Sequence, residues 1–389
     1  MILSKFYHIL RKLVGKLLIL GMKKELYIGI MSGTSLDGID VALCKIDDSS
    51  CKLIGSLEYP FDKKLKKEIL EVISGSTTLE QIGTLHVRLA HLFASAINEL
   101  LEKENIDSSN IIAIGSHGQT LWHQPDAEFP FSMQLGCPSV LHVETNIQVV
   151  ADFRSMDIAN GGQGAPFAPA FHQFLFGSGI SIPQIGNKNV AVLNIGGMAN
   201  ITIVGDILKG WDVGCGNVLL DLWASLHVGT SFDKNGEFAK SGTLHVELLK
   251  AMLDDDYFKK LPPKSTGREY FNQKWIGKYL MQFKSIKNED IQRTLLELTA
   301  MSIANDVKKT DTNLLVVCGG GAKNIFLMQR LRELCKIEVV VSDELGVSGD
   351  FMEAMIFAWL AYKRVHKEKV SLSCVTGAKQ DSILGGIYA

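Results

Sequence analysis

The chain has 389 residues, which at roughly 150 residues per domain points to two domains and argues against one undivided core. Hydrophobic residues make up 46% and charged residues 21% of it, a globular balance that excludes a disordered or collagen-like chain. The net charge of −2, with lysines scattered along the chain, offers a nucleic-acid polyanion nothing to hold.

Residues 1–21 read as a basic amphipathic extension, with Ile2, Leu3, Phe6, Ile9, Leu10, Leu13 and Leu17 on one helical face and Lys5, His8, Arg11, Lys12 and Lys16 opposite. Two readings stay open: a helix lying on a membrane surface, or a stretch ahead of a natural start at Met22. The segment is too short and too charged to span a bilayer, and no membrane partner is required. Residues 26–31 and 39–46 read as strands joined by a glycine-rich turn too short for a crossover helix, hence a β-hairpin. Residues 63–74 and 77–102 have helical spacing, the second opened by a capping box of Thr77 and Glu80. A short buried strand at 111–114 ends at Gly115-Ser116-His117-Gly118-Gln119-Thr120. Another, at 147–152, precedes a long polar loop over 152–169. Residues 191–195 and 201–204 form a second hairpin around Gly196-Gly197-Met198-Ala199-Asn200. A helix follows at 289–308, then a strand at 313–318 running into three glycines. A closing helix spans 353–365, with Phe357 and Trp359 in the core. Strand, glycine turn, strand thus occurs once in each half, a weak internal repeat that implies an α/β chain in two similar lobes.

The seven cysteines are an odd number without C-x-x-C or zinc spacing, and fit reduced, mostly buried thiols in the cytoplasm. The chemistry concentrates in the glycine turns. Gly33, Thr34, Ser35, Leu36, Asp37, Gly38, Ile39 and Asp40 combine close backbone approach, hydroxyls and carboxylates. Asp37 and Asp40 are candidates for holding water around Mg²⁺. Gly196 and Gly197 make a second turn, and Gly319, Gly320 and Gly321 leave room for a flat group such as adenine. Singly, each is as well explained as a ligand-free turn; jointly, three such loops at strand ends read as a nucleotide site. P-loop, dinucleotide, protein-kinase, G-x-S-x-G and H-E-x-x-H signatures are missing.

Asp212, in Trp211-Asp212-Val213-Gly214-Cys215-Gly216-Asn217, is either a general base or a turn and cap residue. Arg154 and Gln163, in the loop with Gly161, Gly162, Gly164 and Pro166, suit sugar hydroxyl or carboxylate recognition, against a structural Asp–Arg pair. His117 and His123 read as general bases or as satisfied structural histidines. Glu353 without context is a helix cap.

Taken together, Met31-Ser32-Gly33-Thr34-Ser35-Leu36-Asp37-Gly38-Ile39-Asp40, the segment 115–120, Ala151-Asp152-Phe153-Arg154, the segment 161–166, Asn194-Ile195-Gly196-Gly197, the segment 211–217, Lys264-Ser265-Thr266-Gly267-Arg268-Glu269 and Cys318-Gly319-Gly320-Gly321-Ala322 resemble the anhydro-N-acetylmuramic acid kinase family, in family order from about residue 26 to the end. The resemblance implies an α/β, two-lobed, actin/hexokinase/Hsp70-like (ribonuclease H-like) fold with an ATP cleft between lobes. Residues 22–144 plus 366–389 would form the N-terminal lobe and 145–365 the C-terminal lobe. It implies a cytoplasmic homodimer of peptidoglycan recycling that uses ATP and Mg²⁺ to open and phosphorylate 1,6-anhydro-N-acetylmuramic acid. It further implies ATP contacts at residues 33–40, 196–197 and 319–321, Asp212 as base, and sugar contacts at Arg154, Gln163 and Glu353. Many relatives in the wider superfamily carry an Asp where this chain has Met31 or Ser32, so the residue that organises Mg²⁺ is left open. Another sugar kinase of the superfamily, a nucleotide-binding regulatory module and a His117-based hydrolase are the competing readings.

Overall fold

The computed structural model describes residues 24–33, 36–75, 77–177, 182–283 and 285–389; the extension 1–21, Thr34 and Ser35 lie outside them. The first sheet holds β1 (Glu25–Ser32), β2 (Gly38–Asp47), β3 (Ser50–Pro60), β4 (Ile111–Gln124), β5 (Phe131–Leu135) and β6 (Val149–Ala151). The second holds β7 (Val190–Ile195), β8 (Met198–Ile203), β9 (Lys209–Cys215), β10 (Leu314–Cys318) and β11 (Glu338–Val341), and the terminal β12 (Gly386–Tyr388) returns to the edge of the first.

The internal repeat is real at the level of topology. The sheets run β3-β2-β1-β4-β6 and β9-β8-β7-β10-β11, and in both the first three strands are antiparallel while the last two join parallel to the first. The chain dictates this pattern. Short connections between successive strands can only make hairpins, whereas a parallel neighbour needs a helical crossover. Helices Lys63–Ile73 and Leu79–Lys103 supply the crossover before β4, and helix Asn288–Val307 lies in the one before β10. Two such sheets are the expected two-lobed, ribonuclease H-like arrangement.

Two elements that the sequence division places in the C-terminal lobe are attached to the first sheet. β6 pairs with β4, and helix Met352–Val365 packs across β1, β2 and β4. That packing needs glycine beneath the helix: a Cβ at Gly29 would lie 1.8 Å from the carbonyl oxygen of Ala354, and one at Gly115 1.9 Å from that of Phe357. The helix also joins the lobes. A single apolar cluster runs from Tyr27 and Val150 of the first sheet through Phe357 and Trp359 to Val192 and Val316 of the second. Separate cores lie under helix Leu79–Lys103 and around helix Asn288–Val307.

Local expectations shift in three places. The capping box is one residue on: Thr78 accepts from the Gln81 N–H at 3.2 Å and Gln81 accepts from the Thr78 N–H at 2.8 Å. β4 continues to Gln124, because β5 pairs with its polar half. The loop over 152–169 contains helix Phe153–Ala159, and helix Ala168–Phe176 begins inside it. Cys44, Cys51, Cys215, Cys318 and Cys335 are buried free thiols, while Cys374 is exposed. Among the described residues no helix is long and apolar enough to cross a membrane.

Candidate active site

A cleft of about 780 Å³ opens between the sheets, and Asp212, Arg154, Gln163 and Glu353, scattered over 200 positions of sequence, all line it. Asp212 sits on β9 rather than in a loop. Asn200 pairs with Asp212 but Ala199 pairs with Gly214, so Val213 is an extra, bulged residue. A bulge of this kind re-aims neighbouring side chains, and it turns Asp212 towards the cleft. The carboxylate is held from one side only. Its Oδ2 accepts from the Ser265 hydroxyl and the Thr266 N–H, each at 3.0 Å, while Oδ1 accepts from no described residue. The main chain of Asp212 is tied as well, its N–H donating to Lys264 O at 3.0 Å and its carbonyl accepting from the Tyr257 hydroxyl at 2.8 Å. A fixed, half-buried carboxylate with one free oxygen is the geometry a general base needs.

Arg154 lies across the cleft on helix Phe153–Ala159. Its Nη1 donates to Gly164 O and its Nη2 to His117 Nε2, both at 2.8 Å, and its guanidinium lies 5.2 Å from the centre of the Phe167 ring. Burial lowers the Arg154 pKa to about 10, which the Glu353 carboxylate opposes. Burial and then the Arg154 charge push His117 down to about 3, so the imidazole is neutral and accepts at Nε2. His117 Nε2 is therefore a positioning acceptor for Arg154, while its buried Nδ1 meets no hydrogen-bond partner among the described residues. His123 also lines the cleft and contacts Ser132 Oγ through Nδ1 at 3.0 Å. Glu353 is open to the cleft yet surrounded by its walls; that desolvation raises its pKa, with Arg154 opposing. Gln163 donates to Asp126 Oδ1 at 2.8 Å. The glycine loop carrying it is pinned by buried Asp157, which accepts from the Gly164 N–H at 2.7 Å and the Thr376 hydroxyl at 2.8 Å.

The glycines of the second lobe divide into two kinds. A Cβ at Gly216, Gly319 or Gly321 would come within 2.4 Å of Gly196 O, Asn194 Oδ1 or the Ile195 side chain, so these glycines let three loops pack on one another. At Gly196, Gly197 and Gly320 a Cβ would meet nothing closer than 3.6 Å, and none of the three has φ in the left-handed region. Neither packing nor backbone strain demands glycine there, and the open backbone leaves space for a ligand. In the first hairpin the Ser32 hydroxyl donates to Gln119 Oε1 at 2.6 Å, and Leu36 and Ile39 bury their side chains in the core beneath the turn, leaving only their backbone to the turn itself. Asp37 points to the surface and pairs with Lys66 at 3.1 Å. Asp40, opposite Met31 and Glu58 on neighbouring strands, is pushed up to about 6, first by burial and then by Glu58, Glu353, Asp350 and Asp37. Among the described residues no group of three or more His, Cys, Asp or Glu side chains makes a ready metal cage.

Ser265, Thr266, Lys264, Tyr257 and Asp306 around Asp212 carried no assigned role in the sequence. Only the motif 264–269 signalled some of them.

The family model for anhydro-N-acetylmuramic acid kinase matches residues 25–389. The chain belongs to this family. It is 57% identical over 369 residues to the anhydro-N-acetylmuramic acid kinase of Sulfurovum sp. (strain NBC37-1), covering 94% of this chain and 100% of that one. The kinase of Sulfurimonas denitrificans is 55% identical over 372 residues, with 94% and 99% covered. Among solved structures, component A of (R)-2-hydroxyglutaryl-CoA dehydratase from Acidaminococcus fermentans aligns with TM-score 0.46 and 14% identity, over 88% of this chain and 100% of that one. A ROK family glucokinase from Streptomyces griseus in complex with glucose and AMPPNP aligns with TM-score 0.39 and 14% identity, over 87% and 99%.

Proposed function

We propose that this family member is an ATP-dependent kinase that opens the 1,6-anhydro bridge of 1,6-anhydro-N-acetylmuramic acid with water and phosphorylates O6, giving N-acetylmuramic acid 6-phosphate and ADP. The observation that carries the reading is Asp212: one carboxylate oxygen is anchored by Ser265 and Thr266, and the other is free in a cleft shared with Arg154 and Glu353. In the reaction Asp212 takes a proton from water as the water oxygen bonds to the anomeric carbon. The bond from that carbon to O6 breaks, O6 bonds to the γ-phosphorus, and the bond to the β-phosphate oxygen breaks to release ADP. A positioned base contributes about 10²–10⁴-fold to such a step.

The buried cationic Arg154 suits a carboxylate or hydroxyl of the sugar, with Gln163 and Glu353 as further polar contacts. The open turns at Gly196, Gly197 and Gly320, together with the family motif at residues 33–40, suit the nucleotide. Phosphoryl transfer asks chiefly for positioning and charge neutralisation. Mg²⁺ would supply the latter near Asp40, whose crowding by four other carboxylates fits a cation bound mostly by phosphate and water. A homodimer working in the cytoplasm completes the reading, with the N-terminal lobe at residues 22–144 plus 366–389 and the C-terminal lobe at 145–365, apart from the attachments of β6 and helix Met352–Val365. The test is turnover of the anhydro sugar with ATP in H₂¹⁸O. Label is expected at C1 of the 6-phosphate; phosphorylation of an ordinary hexose only, or product free of label, overturns the proposal.

A further inference from the structure

Next to Asp212 lies a buried ion pair whose lysine also lines the cleft. Lys264 Nζ and Asp306 Oδ2 are 3.2 Å apart, with side chains only 2% and 5% exposed. Each member reaches a neighbour of Asp212 on β9. The Trp211 indole N–H donates to Asp306 Oδ2 at 2.9 Å, and Lys264 Nζ donates to Val213 O, the bulged residue, at 3.5 Å. Lys264 also begins the segment that holds Asp212 directly: its carbonyl takes the Asp212 N–H, and the next two residues bind Oδ2. Its ammonium lies 5.2 Å from the ring centre of Tyr257, whose hydroxyl holds the Asp212 carbonyl. Asp306 stands in the last turn of helix Asn288–Val307, which is buried along most of its length and gives the pair a rigid mount.

Stability is a poor reason for this arrangement. A buried pair seldom outperforms apolar packing of the same volume. A carboxylate at the C-terminal end of a helix also opposes the helix dipole. Lys309 Nζ, 2.9 Å from Asp306 Oδ1, eases that charge from the solvent side. We propose that Lys264 and Asp306 are positioning residues that fix the bulge at Val213 and the segment 264–266, and through them the direction of the free Asp212 oxygen. This rests on the reading of Asp212 as the base.

The test compares Asp212→Asn, Asp306→Glu and the double variant Lys264→Met/Asp306→Leu in the full chain, measuring kcat, KM for ATP and thermal stability. The double variant removes both charges together, so it is expected to melt near the parent. Its kcat is expected to fall by up to about 10²-fold, the scale of a 1 Å misplacement, with KM for ATP nearly unchanged. Asp306→Glu keeps the charge and changes its reach; it is expected to fold and to show the same split between kcat and KM. Parental kcat in either variant, or a kcat loss that disappears once activity is expressed per folded molecule, overturns the positioning role. Parental activity in Asp212→Asn instead removes the base itself, so failure of the two ideas reads differently.

Discussion

Asp212 and Asp40 show how one residue type takes opposite environments in one molecule. Asp212 is surrounded by donors that leave one oxygen free, whereas Asp40 faces other carboxylates. Replacing Asp212 by Asn keeps the shape but removes the basic oxygen, so kcat is expected to drop by about 10²–10⁴-fold while ATP still binds. Turnover assays beside a calorimetric ATP titration check this. For Asp40 the sign follows from its folded pKa of about 6, above an unfolded value near 3.8. Between these values the folded state holds the proton, so ionisation on raising the pH through this window costs stability. Asp40→Asn is therefore expected to melt higher than the parent at pH 7.5, and this advantage is expected to shrink towards pH 4. Melting curves across that range test it; an advantage independent of pH would rule out the crowding as its source. His117, at about 3, stays neutral throughout and contributes no limb to a rate profile near neutrality.

Among the elements, helix Met352–Val365 determines the most. It carries Glu353 into the cleft from its first turn and lays its backbone on β1 and β4 at Gly29 and Gly115. Gly29→Ala places a methyl carbon within 1.8 Å of the Ala354 carbonyl oxygen, which only movement of the helix can relieve. Overpacking of this kind typically costs about 1–3 kcal/mol, and because the obstacle is backbone the upper end is expected, read as a lower urea midpoint. The same displacement shifts Glu353, so activity is expected to fall beyond what the lost stability explains. Much of the element level was legible from spacing alone: both glycine-turn hairpins and the long helices lie where the periodicity places them. β4 was not, because its Ser116, His117, Gln119 and Thr120 look like loop residues. They are strand residues paired along β1 and β5; the Gln119 side chain meets Ser32 and His117 Nε2 meets Arg154, while the Ser116 hydroxyl meets no partner among the described residues.

At the scale of the molecule, the apolar cluster shared by both sheets makes the lobes unlike two beads on a linker. Unfolding one lobe exposes part of the other's core, so calorimetry is expected to show one heat-absorption peak. A saturating ATP analogue is expected to shift that peak as a whole, by about 2.7 kcal/mol of added stability at a hundredfold excess over Kd. Two peaks, with one insensitive to the nucleotide, would show that the lobes melt separately.

The sequence alone determined the repeated strand–turn–strand unit, the family motifs and the residue types of the site, because these follow from local spacing and from short connections that admit a single pairing. Only the tertiary structure decided which of those residues meet. Asp212 acquires its donors from a segment over fifty positions away, and helical Arg154 an acceptor from His117 on strand β4. It also decided which glycines face open space and which merely let loops touch. Such distinctions depend on distances between remote segments, and no periodicity in a single chain encodes those distances.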